Sequence, residues 1–290
     1  MLNTKALNNK WIILCVLFAT LVVLYFIFHC ILYEDIVNHW KRSYNLKKDG
    51  VCILKNFISK DEINKLKKEC QENNHKQVKD YIIHSPKINE RIKKYTGPQY
   101  EFQDYIFIIK KSAIHTCHRD ANGDFFNEGQ QYPSYTLLIF LEDMEKCLGV
   151  VPKSHTNVNS FGINFSDPVV NLICNKGDAI LFNANLIHVG ALNQKDNNLR
   201  IQMKITHEDD VDAIPYYNNY NKILNEENHL PFFVRKAQRK LSCLVPILSN
   251  LSQKEIQRTS SKGEKIGIIE QCFSYFFYGN SRFYDLPNAF

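Results

Sequence analysis

A chain of 290 residues with 44% hydrophobic content can bury a proper core, and a globular protein is expected. Its net charge of +6 arises from 36 Lys and Arg mixed among 30 Asp and Glu, with no long basic block or interleaved aromatic ladder, so nucleic acid is not expected as a partner. The nine cysteines are odd in number, scattered and never in a C-x-x-C spacing, which argues against both a disulfide framework and a zinc knuckle.

Residues 1–10 form a polar tail. The 23 residues 11–33 contain no Lys, Arg, Asp or Glu, and as a helix rising about 1.5 Å per residue they would span about 34 Å. The run is longer than the roughly 7 to 15 residues of a signal-peptide core and no small-x-small cleavage site follows, so an uncleaved transmembrane anchor is expected. Lys5 and Lys10 flank one side, and Lys41, Arg42, Lys47 and Lys48 the other, which leans toward a cytosolic large domain.

A linker helix is expected over residues 34–48, then a strand over 51–57. Ser59-Lys60-Asp61-Glu62 is a capping-box pattern opening a helix through Gln71, with Ile63, Leu66 and Cys70 on its apolar face. Ser85-Pro86 opens another, running to Lys94 or Tyr95. Strands are then predicted over 100–110, 135–141, 169–174, 179–182 and 199–206, punctuated by Asn122-Gly123, Lys176-Gly177-Asp178 and Gly190. Short strands with long connections indicate a mainly β fold with flanking helices, a double-stranded β-helix or jelly-roll barrel over residues 49–207. In the last strand Ile201, Met203 and Ile205 alternate with Arg200, Gln202 and Lys204, and a polar face turned inward would suit a charged ligand. Residues 208–290 read as a helical and aromatic extension, with a helix near 232–251 packed on the barrel and its basic face in water.

His118-Arg119-Asp120 carries the first chemical signal. Side chains alternate faces on an extended segment, so His118 and Asp120 point the same way and can grip one metal ion. A second imidazole from a later strand would complete two His and one carboxylate, the set that leaves positions open on non-haem Fe(II). His115 and Cys117 form a rival set, but Cys117 falls opposite His118 under strict alternation.

Further islands belong with this triplet. Val51-Cys52-Ile53-Leu54-Lys55-Asn56-Phe57 precedes the Ser59 helix, residues 135–144 read Tyr-Thr-Leu-Leu-Ile-Phe-Leu-Glu-Asp-Met, and Val150-Val151-Pro152-Lys153-Ser154-His155 follows. Gly177-Asp178-Ala179-Ile180-Leu181-Phe182 leads to His188, Asn193 and Arg200. Over roughly residues 50–207 these segments resemble the phytanoyl-CoA dioxygenase-like family of Fe(II)- and 2-oxoglutarate-dependent oxygenases.

The resemblance implies that His118, Asp120 and His188 hold Fe(II). It also implies that Arg200 binds the distal carboxylate of 2-oxoglutarate through its planar fork. Lys110 is a second candidate for that cosubstrate and Thr136 a third. The implied reaction is oxidative decarboxylation of 2-oxoglutarate to succinate coupled to hydroxylation by molecular oxygen, with ascorbate as an accessory reductant. Halogenating relatives lack the carboxylate, so Asp120 favours hydroxylation. Two departures touch loops near the entrance: Lys111-Ser112-Ala113 stands where the family has Pro-Pro-Gly, and Lys153 replaces the glycine of P-G-S-H. A membrane-anchored dioxygenase acting on a lipid or other small organic substrate is expected. The alternative is a catalytically silent barrel, tethered to a membrane, that binds a metal or a carboxylate.

Overall fold

In a computed structural model of the chain, the residues described are 4–27, 43–110, 116–120, 122–123, 127, 129–156, 169–193, 198–213, 230–244 and 267–278. The chain divides into two units, Met1–Lys41 and Arg42–Phe290.

The first unit contains helix α1, Thr4–Ile27, exposed on every side from Lys10 to Tyr25. It begins seven residues before the expected anchor, and residues 28–33 of that expectation lie outside the described residues. Among the described residues no helix is long and apolar enough to cross a membrane. The uncharged part of α1, residues 11–27, rises only about 25 Å against a hydrocarbon thickness of about 30 Å.

In the second unit the expected linker helix is reduced to α2, Leu46–Asp49, capped by Asn45 and ended by Gly50 at φ 79°; residues 34–42 are outside the described residues. Gly50 is required there, because a Cβ at that left-handed position would also meet His155 Nδ1 at 2.5 Å. Strand β1, Val51–Leu54, follows. Helix α3, Lys60–Gln71, starts on the expected capping box, with Glu62 N donating to Ser59 Oγ and Ser59 N to Glu62 Oε2. Helix α4, His75–Ile83, went unforeseen, and α5, Pro86–Thr96, begins at the expected Ser85-Pro86 cap.

The expected strand over 100–110 is two strands, β2, Tyr100–Phe102, and β3, Phe107–Ile109, both paired with the last strand. Phe102 pairs with Ile205 and Phe107 with Gln202, so four residues on one side oppose two on the other. That bulge carries Tyr105 into the barrel. The remaining strands are β4, Tyr135–Phe140; β5, Leu148–Val150; β6, Val170–Leu172; β7, Ala179–Asn183; β8, His188–Gly190; and β9, Arg200–His207. One antiparallel sheet runs β1-β7-β4-β9-β2 with β3 also on β9, and the other runs β6-β5-β8. Helical residues outnumber strand residues among those described. The class is therefore mixed α/β with antiparallel jelly-roll sheets, a correction to the mainly β expectation.

Two apolar layers fix which way each strand faces. Ile63 and Leu66 of α3, Val78 and Ile82 of α4 and Ile88 and Ile92 of α5 pack on Leu137, Ile139, Ile201, Met203 and Ile205, so the helices cover the outer face of the large sheet. Leu138, Phe140, Ile180, Phe182, Phe107 and Ile109 pack with Leu148, Val150 and Leu172 of the small sheet, filling the space between the sheets. Since the odd residues of β9 face the helices, Arg200, Gln202 and Lys204 face the barrel interior, as the alternation predicted.

Helix α6, Phe232–Leu244, is bound to the small sheet through its basic side, not turned to water. Buried Arg239 donates through Nε to the Gly190 carbonyl at 3.0 Å and through Nη2 to Asn171 Oδ1 at 2.8 Å. Cys117 N donates to Ser242 Oγ at 2.9 Å. The helix thus grips the strand segments that carry both histidines. Helix α7, Ile268–Tyr278, contacts α6 through a hydrogen bond from Gln238 to the Phe276 carbonyl.

Candidate active site

Three neighbouring segments converge inside the barrel. His118 N donates to the His188 carbonyl at 2.8 Å and His188 N to the His118 carbonyl at 2.9 Å, an antiparallel bridge that puts both rings on one side with centroids 4.3 Å apart. Asp120 N donates to the Ala184 carbonyl at 2.8 Å, fixing the third residue on the same stretch.

Each imidazole is held in one tautomer. His118 Nδ1 lies 2.8 Å from the Thr116 carbonyl and His188 Nδ1 lies 2.9 Å from the Leu186 carbonyl. A carbonyl can only accept, so each Nδ1 carries the hydrogen and each Nε2 presents a lone pair. Those two Nε2 atoms lie 3.9 Å (His118) and 3.6 Å (His188) from Asp120 Oδ1. All three ligand atoms are within 4.8 Å of one another. Bonds of about 2.1 Å to an octahedral ion would bring ligand atoms to about 3 Å from each other, so a modest inward movement would close the set. Two imidazoles and a carboxylate fit an Fe(II) ion with open positions.

The electrostatics agree. Burial, with its neighbour His118, pushes the His188 imidazole down to about 4, and burial also lowers His118. Burial alone would raise Asp120, but the Lys204 ammonium beside it outweighs burial and holds the carboxyl well below the usual carboxylate range. Neutral imidazoles and an ionised carboxylate are the forms that bind a metal.

A pH prediction follows with a definite sign. Above pH 6.5, the ordinary imidazole value, His188 is neutral in both folded and unfolded chains. Between 6.5 and about 4 the unfolded chain takes a proton that the folded one does not, so stability falls as pH falls through that window. We expect the thermal midpoint of the metal-free protein to be lower at about pH 5 than at pH 7; an unchanged midpoint would mean hydrated imidazoles.

Asp120 Oδ2 has different partners. Lys204 Nζ donates to it at 2.6 Å and to Thr136 Oγ1 at 2.9 Å, and the Thr136 hydroxyl donates to the same carboxylate oxygen. Thr136 and Lys204 are register partners across β4 and β9. Sequence reasoning placed Lys204 on the polar face of β9 but gave it no role. The signal was the period-two alternation itself, which puts Lys204 four residues beyond Arg200 on one face.

Arg200 is buried at the start of β9, about 13 Å along the strand from Lys204. Burial lowers its guanidinium to about 10, still charged at neutral pH. Its Nη1 donates to the Asn198 carbonyl at 2.9 Å, and among the described residues it has no carboxylate partner. Between Arg200 and Lys204 lies Gln202, the only residue of β9 that is not buried. An uncompensated buried cation next to partly open space suits an incoming carboxylate.

Lys110 is elsewhere. Phe107 and Ile109 face the barrel, and Lys110 Nζ donates to Asn73 Oδ1 at 2.7 Å, beside the end of α3. Strand parity turns it to the outer side of the large sheet, opposite the face that carries Arg200 and Lys204. Of the rival pair, His115 lies outside the described residues, and Cys117 packs among Val151, Val169, Ile187 and Val189.

The Pro152-Lys153-Ser154-His155 turn braces both histidines. Ser154 Oγ accepts from Ile187 N at 2.8 Å, next to His188, and its carbonyl lies 3.5 Å from Arg119 Nη2, between His118 and Asp120. Lys153 has φ 71°, the left-handed conformation that glycine adopts freely, at a cost of about 1 kcal/mol for a side chain. His155 lies outside the ligand set, its Nε2 3.4 Å from the Lys47 carbonyl.

Residues 80–200 match the family model described as Phytanoyl-CoA dioxygenase (PhyH), a span that includes all three ligand residues and Arg200. Over that span the chain is similar to the phytanoyl-CoA dioxygenase family. The match over residues 80–200, which includes the whole ligand set, and the geometry of that set together make it an Fe(II)- and 2-oxoglutarate-dependent oxygenase. No curated protein sequence matches the chain. Among solved structures it is similar to the non-heme alpha-ketoglutarate-dependent carbocyclase SnoK from nogalamycin biosynthesis, at 15% identity and a TM-score of 0.47 over 61% of this chain and 85% of that one. HygX from Streptomyces hygroscopicus, with nickel and 2-oxoglutarate bound, aligns at 11% identity and a TM-score of 0.46 over 60% of this chain and 93% of its own. The nickel complex of the non-heme monooxygenase ThoJ aligns at 15% identity and a TM-score of 0.45 over 73% and 98%. The site chemistry of this chain rests on its own side chains.

Iron bound at this site would supply oxygen activation. The chain's residues supply the rest: His118, His188 and Asp120 Oδ1 would hold the ion, Lys204 and Thr136 hold the far oxygen of Asp120, and the apolar layer between the sheets keeps bulk water away.

Proposed function

We propose that this oxygenase hydroxylates a C–H bond of a lipid or other apolar organic molecule at a membrane, converting 2-oxoglutarate and oxygen to succinate and carbon dioxide as it does so. The observation that carries the chemistry is the convergence of two Nε2 lone pairs and Asp120 Oδ1, each imidazole fixed by a carbonyl on its other nitrogen. Asp120 supports hydroxylation over halogenation, because it fills the place where a halide would bind. Arg200 binds the distal carboxylate of 2-oxoglutarate in this account, and Gln202 marks the space the cosubstrate crosses.

Membrane attachment and an apolar substrate are supported by α1, whose Ile, Leu, Val and Phe side chains are exposed all round. A surface of that kind is stable only against lipid or protein. The flanking charges Lys41, Arg42, Lys47 and Lys48 support a cytosolic placement of the catalytic unit. The test uses the full chain in detergent micelles with Fe(II), ascorbate and 2-oxoglutarate. Succinate release should rise when a total lipid extract is added, with a product 16 mass units heavier than its precursor, as oxygen insertion requires. Stimulation by water-soluble metabolites alone, with none from lipid, would reject the substrate class.

A further inference from the structure

We propose that Lys204 is a positioning residue for the metal centre, locking Asp120 so that it offers the ion one oxygen only; this rests on the metal reading of His118, Asp120 and His188.

Asp120 meets both imidazoles through Oδ1, which lies 3.9 Å from His118 Nε2 and 3.6 Å from His188 Nε2. Its other oxygen is claimed by the Lys204 ammonium at 2.6 Å and by the Thr136 hydroxyl. All three of these side chains are buried, and Lys204 and Thr136 sit directly across from each other on β9 and β4. Rotating Asp120 to give both oxygens to a metal would break two charge-assisted hydrogen bonds and strand a buried ammonium, which is costly.

Coordination number gives the lock its purpose. A hexacoordinate ion held by three protein atoms has three positions left, two for a chelating keto acid and one open. A carboxylate bound through both oxygens would take one of these, and the keto acid would lose most from it. The ammonium has a second effect, since a divalent cation arriving at Oδ1 is repelled by a positive charge on the far side of the same carboxylate. Lys204 therefore trades metal affinity for cosubstrate access. A salt bridge that served folding alone would not separate those two quantities.

The experiment titrates the full chain with Co(II), following the visible ligand-field bands, and then titrates the Co(II)-loaded protein with 2-oxoglutarate. Lys204→Met retains side-chain length and removes every donor. We expect it to bind Co(II) as tightly as wild type or more tightly, with altered band intensities, while 2-oxoglutarate affinity falls at least tenfold. Lys204→Arg, which keeps a cation at the carboxylate, should retain more cosubstrate affinity than Lys204→Met. Thr136→Val should shift both quantities in the same directions by less, and it decides the matter if Lys204→Met does not fold. Cosubstrate affinity within twofold of wild type, or parallel loss of Co(II) and 2-oxoglutarate binding, would overturn the proposal. Absence of Co(II) binding by the wild-type protein would instead overturn the metal reading on which it rests.

Discussion

Asp120→Asn is expected to abolish succinate formation with little loss of stability, and Asp120→Ala to abolish succinate formation and lower stability sharply. Mutating a group that merely hydrogen-bonds a metal ligand typically changes metal affinity about 10- to 100-fold, so neutralising the ligand oxygen itself should cost more than about 100-fold. The two substitutions differ in what they leave behind. Asparagine keeps a carbonyl oxygen to accept from the Lys204 ammonium and the Thr136 hydroxyl, whereas alanine removes both the counter-charge and the acceptor. Breaking a buried ion pair from one side typically costs about 3 to 5 kcal/mol. Against a total stability of about 5 to 15 kcal/mol, the alanine variant should show a large drop in its unfolding midpoint. Anaerobic Fe(II) titration, succinate quantification and thermal unfolding check the three parts separately. Unchanged iron affinity in Asp120→Asn would remove the carboxylate from the site.

Arg200→Met should act on the cosubstrate alone. Truncating one partner of a buried, hydrogen-bonded charge pair costs about 2 kcal/mol or more, which corresponds to at least about a thirtyfold rise in the 2-oxoglutarate dissociation constant. Iron affinity should hold, since Arg200 is about 13 Å along β9 from the lysine that touches Asp120. A further consequence separates this from a folding role. Among the described residues Arg200 has no carboxylate partner, so removing its charge should leave the ligand-free protein as stable as before or more stable. Lys110→Ala, on the outer side of the sheet, should leave both affinities at wild-type values. Equal loss of iron and 2-oxoglutarate in Arg200→Met would reject its assignment.

Much of the local structure was legible because its causes are local. The Ser59 capping box and the Ser85-Pro86 start depend on residues three or four apart, and both helices begin where the sequence placed them. Alternation along 200–206 named the inward face of β9 correctly. Strands β5 and β8 were missed, because three residues are too short to show a period and their order comes from neighbours. The buried basic side of α6 was also out of reach, since its partners Gly190 and Asn171 lie 49 and 68 residues away.

By itself the sequence determined the ligand types and their order, His118, Asp120, His188 and then Arg200, together with an apolar stretch near the start of the chain. Only the tertiary structure decided which lysine belongs to the site. Both Lys110 and Lys204 alternate with apolar residues on strands, and nothing local says which face of a sheet its helices will cover. Once α3, α4 and α5 bury Ile201, Met203 and Ile205, parity sends Lys204 inward to Asp120 and Lys110 outward to Asn73. The identity of the second cation at the iron site is thus a consequence of packing.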